Sequence, residues 1–317
     1  MGRIIAVANQ KGGVGKTTTA INLSACLAEK GMKVLTIDID PQGNTTSGLG
    51  INKAELEHNV YQLIIDECSV EKCMYQSIVD GLFVLPSDVN LAGAEIELIG
   101  IENKEYILRD KIDPIKDFFD YIIIDCPPSL NILTVNALTT ADKVLVPIQC
   151  EYYALEGLSQ LIHTINLVTQ RLNEKLEIEG VVFTMFDART NLSLQVVENV
   201  RNNLNQNIYK AIIPRNVRLA EAPSHGLPIS MYDSKSAGAE AYRDLADEIL
   251  KQDGIDSVVL QEIKEKDSQK DTKGQKKREN TENKTNSRVE NKQENKSESK
   301  KDAKKSKLFS RKGTGQK

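Results

Sequence analysis

Histidine and paired cysteine are scarce in this chain of 317 residues, and long apolar runs are missing. Its three histidines form no cluster, and Cys68 and Cys73 have no second cysteine pair near them. A zinc centre of the usual Cys/His spacing is therefore not expected. The five cysteines (26, 68, 73, 126 and 150) are an odd number, and several fall in apolar or strand-like settings. That usage fits a reducing cytoplasm better than a disulfide framework. No stretch approaches the ~18–20 consecutive apolar residues of a membrane span. Met1-Gly2-Arg3-Ile4-Ile5 runs into a glycine-rich loop without the layout of a signal peptide.

A fourth scarcity is local. Residues 261–317 offer only Ile263, Val289, Ala303, Leu308 and Phe309 as clearly apolar side chains. Ordering each residue costs roughly 1–2 kcal/mol of backbone entropy, and this segment has almost nothing to bury in return. The segment is also basic. It holds 19 basic and 10 acidic residues, whereas residues 1–260 hold 22 and 35, so a tail of +9 follows a body of −13. The expected organisation is a folded domain over 1–255 and a disordered, Lys-rich tail over 256–317.

Within the body, short Ile/Val-rich runs alternate with helix-period segments. The runs are Ile4–Ala8, Val34–Ile37, Leu82–Leu85, Tyr121–Ile124, Val144–Ile148 and Val181–Thr184. They lack polar alternation, as strands buried on both faces do. Helices are expected over Thr17–Lys30, Ala154–Leu172, Ser193–Leu204 and Ala237–Lys251. This alternation implies an α/β fold with a doubly wound, mostly parallel sheet and ligands at the carboxyl ends of its strands.

The first strand leads into Asn9-Gln10-Lys11-Gly12-Gly13-Val14-Gly15-Lys16-Thr17-Thr18-Thr19 and then a helix. Glycines let backbone N–H groups wrap phosphate oxygens, and the helix N-terminus adds positive potential. Lys16 would reach the β- and γ-phosphates, and the Thr17 hydroxyl would ligate Mg²⁺. The usual pattern has glycine where this chain has Gln10, and Lys11 adds a second lysine. In one subunit Lys11 duplicates Lys16. Its more economical use is to reach a nucleotide held by a second copy.

This loop resembles that of the ParA/MinD family of positioning ATPases. So do Asp38-Ile39-Asp40-Pro41-Gln42-Gly43-Asn44, Ile123-Ile124-Asp125-Cys126-Pro127-Pro128-Ser129 and Ile213-Pro214-Arg215-Asn216-Val217-Arg218. Gln149-Cys150-Glu151-Tyr152-Tyr153-Ala154-Leu155-Glu156-Gly157-Leu158 is similar to the chromosomal ParA/Soj branch. The likeness runs in order over about 1–250, and the tail has no counterpart in it.

The resemblance implies a Mg²⁺-dependent ATPase of the deviant phosphate-loop type. ATP would sit on Lys11, Gly12, Gly13, Val14, Gly15, Lys16, Thr17 and Thr18, with Pro214 and Asn216 near the base. Thr17 and, through water, Asp125 would hold the metal. Asp40 would position the attacking water, with Asp38 in a metal-shell or structural role, and Lys11 and Lys16 would act on the phosphates. Gly12 would allow close approach in an ATP homodimer. Arg189 and Arg218 would contact non-specific DNA, placing the protein in the cytoplasm on the nucleoid, and a ParB-type partner would stimulate turnover.

Three other classes share parts of this pattern. A MinD-like membrane-surface switch would need more apolar surface than Lys300–Lys312, with Leu308 and Phe309, provides. An iron–sulfur reductase would need a cysteine pair at a shared interface, and neither Cys126 nor Cys150 has that context. A metabolic ligase would need a substrate domain that is not evident.

If DNA affinity resides in the body, residues 1–260 bind DNA with ATP within about twofold of the full chain and do not bind with ADP. Gel-shift titrations of both forms check this, and loss of binding on truncation would move the affinity to the tail.

Overall fold

The computed structural model describes residues 2–151 and 154–255, without the side chains of Leu155 and Glu156. The tail over 256–317 and Tyr152–Tyr153 of the 149–158 motif lie outside the described residues, as does the basic cluster at 300–312.

Eight strands form one sheet: β1 (Arg3–Val7), β2 (Val34–Asp38), β3 (Tyr75–Gln76), β4 (Leu82–Leu85), β5 (Tyr121–Asp125), β6 (Lys143–Gln149), β7 (Glu177–Phe186) and β8 (Ile208–Pro214). Their order across the sheet is β3-β4-β2-β5-β1-β6-β7-β8, and only β3 runs antiparallel to its neighbour. The helices are α1 (Lys16–Glu29), α2 (Asn44–Gly48), α3 (Val60–Ile64), α4 (Leu91–Glu97), α5 (Ile107–Ile112), α6 (Ile132–Thr140), α7 (Ala154–Arg171), α8 (Asn191–Asn203), α9 (Val217–Glu221), α10 (Ile229–Tyr232) and α11 (Ala237–Gln252).

The sheet is covered on both faces, so its central strands carry apolar residues at every position. One face presents Ile4, Ala6, Leu35, Ile37, Ile122, Ile124, Val144 and Val146 to the side chains of α3–α7, including Leu63, Leu91, Leu108, Leu133 and Leu161. The alternate positions face α1, which packs on β2 and β5 and against α11. Ser236 accepts from Ala239 N and so starts α11, whose Tyr242, Leu245, Ala246 and Ile249 are buried.

All six expected strands and all four expected helices are present. Two strands were not read from the sequence. β3 has only two residues, and β8 is an edge strand whose half-buried pattern interrupts its apolar run. Its outer edge is occupied: Glu248 of α11 accepts from Lys210 N at 2.9 Å and Ala211 N at 2.7 Å. Cys68 and Cys73, weighed in sequence only as a metal pair, are joined as a disulfide, while Cys26, Cys126 and Cys150 are free and buried. Among the described residues no helix is long and apolar enough to cross a membrane.

Ile123 lies on β5 in the middle of the sheet and is fully buried. Ile123→Ala should cost about 2–5 kcal/mol, visible as a lower midpoint in denaturant with an unchanged slope.

Candidate functional site

The parallel strands bring three segments together at their carboxyl ends. β1 pairs with β5 and β6, and β5 with β2, so the loops after β1, β2 and β5 are neighbours. The loop after β1 turns into α1 through Gly15, a left-handed N-cap at φ 89° with no side-chain cap. Gly13, at φ 73°, shares that conformation, which costs a glycine little and other residues more. With no capping side chain, the first amides of α1 remain available to an anion.

Residues outside the motif hold this loop. Asn9 donates to Pro147 O at 2.8 Å and accepts from Lys11 N at 3.0 Å. Thr184, at the end of β7, donates to Val14 O at 2.8 Å. Gln10, which replaces the usual glycine, donates to Thr164 of α7 at 3.2 Å.

The two loop lysines have different surroundings. Lys16 is only 6% exposed and donates to Lys11 O at 3.1 Å. Burial lowers its pKa against the opposing pull of Asp125, Cys126 and Asp40. Lys11 is half-exposed and pairs with Glu151 of its own chain at 2.6 Å. Gly12 is exposed, and a Cβ there would meet nothing closer than Pro128 Cβ at 4.0 Å.

Asp38 and Asp125 are register partners at the ends of β2 and β5, and both are fully buried. Thr17 and Thr45 donate to Asp125 Oδ2 at 2.8 and 2.7 Å. Oδ1 of Asp125 is buried and has no hydrogen-bond donor among the described residues. Asp38 accepts from Thr46 N at 2.8 Å, Thr46 Oγ1 at 2.7 Å and Asp40 N at 3.2 Å, which makes it a structural brace. Burial pushes both carboxyls above the usual carboxylate range, and at Asp125 the charge of Asp38 adds to it.

Asp40 sits on the turn into α2 and is nearly buried. It accepts from Gln42 N at 2.9 Å, and its carbonyl accepts from Ser87 Oγ at 2.8 Å. Gly43, at φ 62°, packs so closely that a Cβ would lie 2.5 Å from Ser87 O. The Asp40 turn is thus clamped between α2 and the segment after β4.

Pro214 and Asn216 line a mostly apolar cavity of about 430 Å³ that also touches Gly15, Thr18, Met185, Ile213 and Val217. Asn216 spends its carbonyl on capping α9 through Arg218 N at 2.8 Å, which leaves its NH₂ for a ligand. Arg189 and Arg218 both lie past the ends of β7 and β8, and neither is a free cation. Arg189, 86% exposed, makes a two-pronged contact with Asp187 at 2.8 and 2.7 Å. Arg218 pairs with Glu221 at 2.9 Å and lies 3.6 Å from Asp233. Arg215, between them in sequence, is exposed.

A glycine-cradled helix N-terminus, a buried loop lysine and a strand-end carboxylate bonded to the loop threonine define a phosphate-loop ATPase, and the AAA domain family matches residues 2–178. The chain is 57% identical over 249 residues to the sporulation initiation inhibitor protein Soj of Bacillus subtilis (strain 168), covering 78% of this chain and 98% of Soj. It is 52% identical over 253 residues to the chromosome partitioning protein ParA of Myxococcus xanthus (strain DK1622), covering 80% and 89%. The chain belongs to the Soj/ParA family of chromosome-partitioning ATPases. The crystal structure of cobyrinic acid a,c-diamide synthase from Mycobacterium smegmatis with bound ATP analog and magnesium is also similar. Its TM-score is 0.70 and its identity 37%, over 79% of this chain and 95% of that one.

The buried acidic pair sets a pH dependence. A carboxyl whose pKa is raised by folding contributes stability below its unfolded value of about 4, and that contribution is lost as pH rises through the folded value. Nucleotide-free protein should therefore lose stability from about pH 4 toward neutrality. Asp125→Asn keeps an acceptor for Thr17 and Thr45, so it should flatten the slope and raise the melting temperature at neutral pH. Melting curves across pH without nucleotide check this, and an unchanged slope would count against it.

Proposed function

We propose that this protein is an ATP-dependent dimerisation switch that binds DNA without sequence preference as the ATP-bound dimer. Hydrolysis, stimulated by a ParB-type partner, ends that state during chromosome partitioning. The observation that carries this reading is the mismatch between the loop and a single subunit. Gly12 has open space around it in its own chain, and Lys11 is a second lysine parked on a surface carboxylate. Neither feature serves a nucleotide held by one copy. Both make sense if a second copy approaches the loop, with Gly12 allowing close contact and Lys11 leaving Glu151 for the partner's phosphates.

Within one subunit, the amides of residues 12–17 would cradle the phosphates and Lys16 would neutralise their charge. The orphaned Oδ1 of Asp125 suits a water of a Mg²⁺ shell, with Thr17 Oγ1 as a direct ligand. Magnesium keeps most of its waters and takes few protein ligands, so one hydroxyl and one outer carboxylate are enough. Bound there, Mg²⁺ would offset charge on the phosphate oxygens. Asp40, held by its turn, would orient water for attack, a task of positioning more than of basicity. The cavity at Pro214 and Asn216 would hold the adenine.

Arg189 and Arg218 would supply DNA contacts, with Arg215 beside them. Because carboxylates already hold two of the three, a DNA phosphate must displace Asp187, Glu221 or Asp233. One subunit would then bind weakly. A dimer doubles the contacts, and binding should fall steeply with salt.

Asp40→Ala should bind ATP, elute as a dimer with it, and turn over at least tenfold more slowly. Gly12→Val should still bind ATP and remain monomeric. Arg189→Glu with Arg218→Glu should dimerise but lose the DNA shift. Sizing chromatography with ATP, a phosphate-release assay and a gel shift on these three variants separate the steps, and wild-type turnover in Asp40→Ala would remove the role given to Asp40.

A further inference from the structure

The phosphate loop owes part of its shape to a side chain far from it in sequence. Thr184, near the end of β7, is 2% exposed, and its hydroxyl donates to Val14 O at 2.8 Å. Its Cγ2 lies 3.5 Å from where a Cβ on Gly15 would stand, so the methyl packs against the glycine while the hydroxyl holds the carbonyl before it. Thr184 is itself held in place. Its carbonyl accepts from Cys150 N at 3.3 Å, and it is the register partner of Gln149 on β6.

What the hydroxyl fixes is a peptide plane. Val14 O and the Gly15 N–H belong to one peptide unit, and no peptide bond among the described residues is cis. The two groups therefore point in opposite directions. Drawing Val14 O toward β7 turns the Gly15 N–H to the other side of the loop. Gly15 is left-handed, at φ 89° and ψ 22°, and Lys16 begins the right-handed α1. Such a pair forms a concave nest in which the N–H groups of Gly15, Lys16 and Thr17 converge on one anion. Among the described residues no hydrogen bond takes the Gly15 amide.

Glycine by itself does not protect this arrangement. The freedom that admits φ 89° admits the mirror value as readily. Turning the Val14–Gly15 peptide over requires rotation only about ψ of Val14 and φ of Gly15. It would put a carbonyl where the nest needs an amide, and a carbonyl repels phosphate oxygens. We infer that Thr184 is a positioning residue for nucleotide binding, whose hydroxyl locks the Val14–Gly15 peptide with its amide turned into the nest. The inference rests on the reading that the phosphates lie on the amides of residues 12–17.

Two variants separate the hydroxyl from the shape. Thr184→Val keeps the branched side chain and removes the donor, whereas Thr184→Ser keeps the donor and removes the methyl. In equilibrium titrations of the full chain with ATP and Mg²⁺, Thr184→Val should bind about tenfold more weakly, as expected for one buried hydrogen bond. Thr184→Ser should stay within about threefold of wild type. KM should rise with the dissociation constant, while kcat at saturating ATP falls less than about threefold, because loaded nucleotide itself holds the amide. Melting without nucleotide distinguishes a lock from a merely structural bond. A released Val14 carbonyl can turn outward to water, so Thr184→Val should melt within about 2 °C of wild type. Wild-type ATP affinity in Thr184→Val, an equal loss in Thr184→Ser, or a melting temperature lowered by more than about 5 °C in Thr184→Val would each overturn the lock. Lys16→Ala is the control and should lose at least tenfold in ATP affinity. Wild-type affinity in that variant would overturn the placement of the phosphates and this inference with it, whereas wild-type affinity in Thr184→Val alone overturns only the lock.

Discussion

Two carboxylates buried side by side at the ends of β2 and β5 govern how the rest of the site is arranged. Burying Asp38 next to Asp125 is costly, and each is accommodated by its own donors. Asp38 takes an amide and a hydroxyl from Thr46, which fixes the start of α2. Asp125 takes hydroxyls from Thr17 and Thr45, which ties the phosphate loop to α2 across the sheet. One oxygen of Asp125 is left without a donor. The glycine loop, the Asp40 turn and the strand that carries Asp125 are thus held in register by carboxylates whose burial is costly. A cation and its water shell would relieve that imbalance, so ligand binding and local stability are coupled at the same atoms.

Most of the scaffold was legible in the sequence because burial on both faces writes itself as uninterrupted Ile and Val. β8 escaped because an edge strand needs no such run, and α2 to α5 escaped because five- to seven-residue helices leave little periodicity. Lys16 and Thr17 could be picked out by the loop motif, Asp125 by its place at a strand end and Asp40 by family resemblance, and the structure brings all four to one end of the sheet. Their supports could not. Asn9, Thr45, Thr46, Ser87 and Thr184 are isolated polar residues in sequence, and their partners lie far along the chain. Only their burial in three dimensions distinguishes them.

The arginines show a different limit. Arg189 and Arg218 are DNA contacts only by family resemblance, and both are exposed. The acids that hold them are close in sequence: Asp187 two residues before Arg189, and Glu221 three after Arg218. A cluster counted as positive is locally balanced. Similarly, Lys11 looks like surplus charge until Glu151 is seen to neutralise it. Each of these three cations is held by a carboxylate of its own chain, so any further anionic partner must first displace that carboxylate.

The contact of Glu248 with the last strand has a consequence for behaviour at high local density. An open parallel sheet ends in a row of unpaired amides that can recruit a strand from another molecule. Here two of those amides, Lys210 N and Ala211 N, are already taken by a carboxylate from α11, and the opposite edge is a two-residue antiparallel strand. With those amides taken and the opposite edge so short, the sheet offers little template for strand addition by a neighbouring molecule.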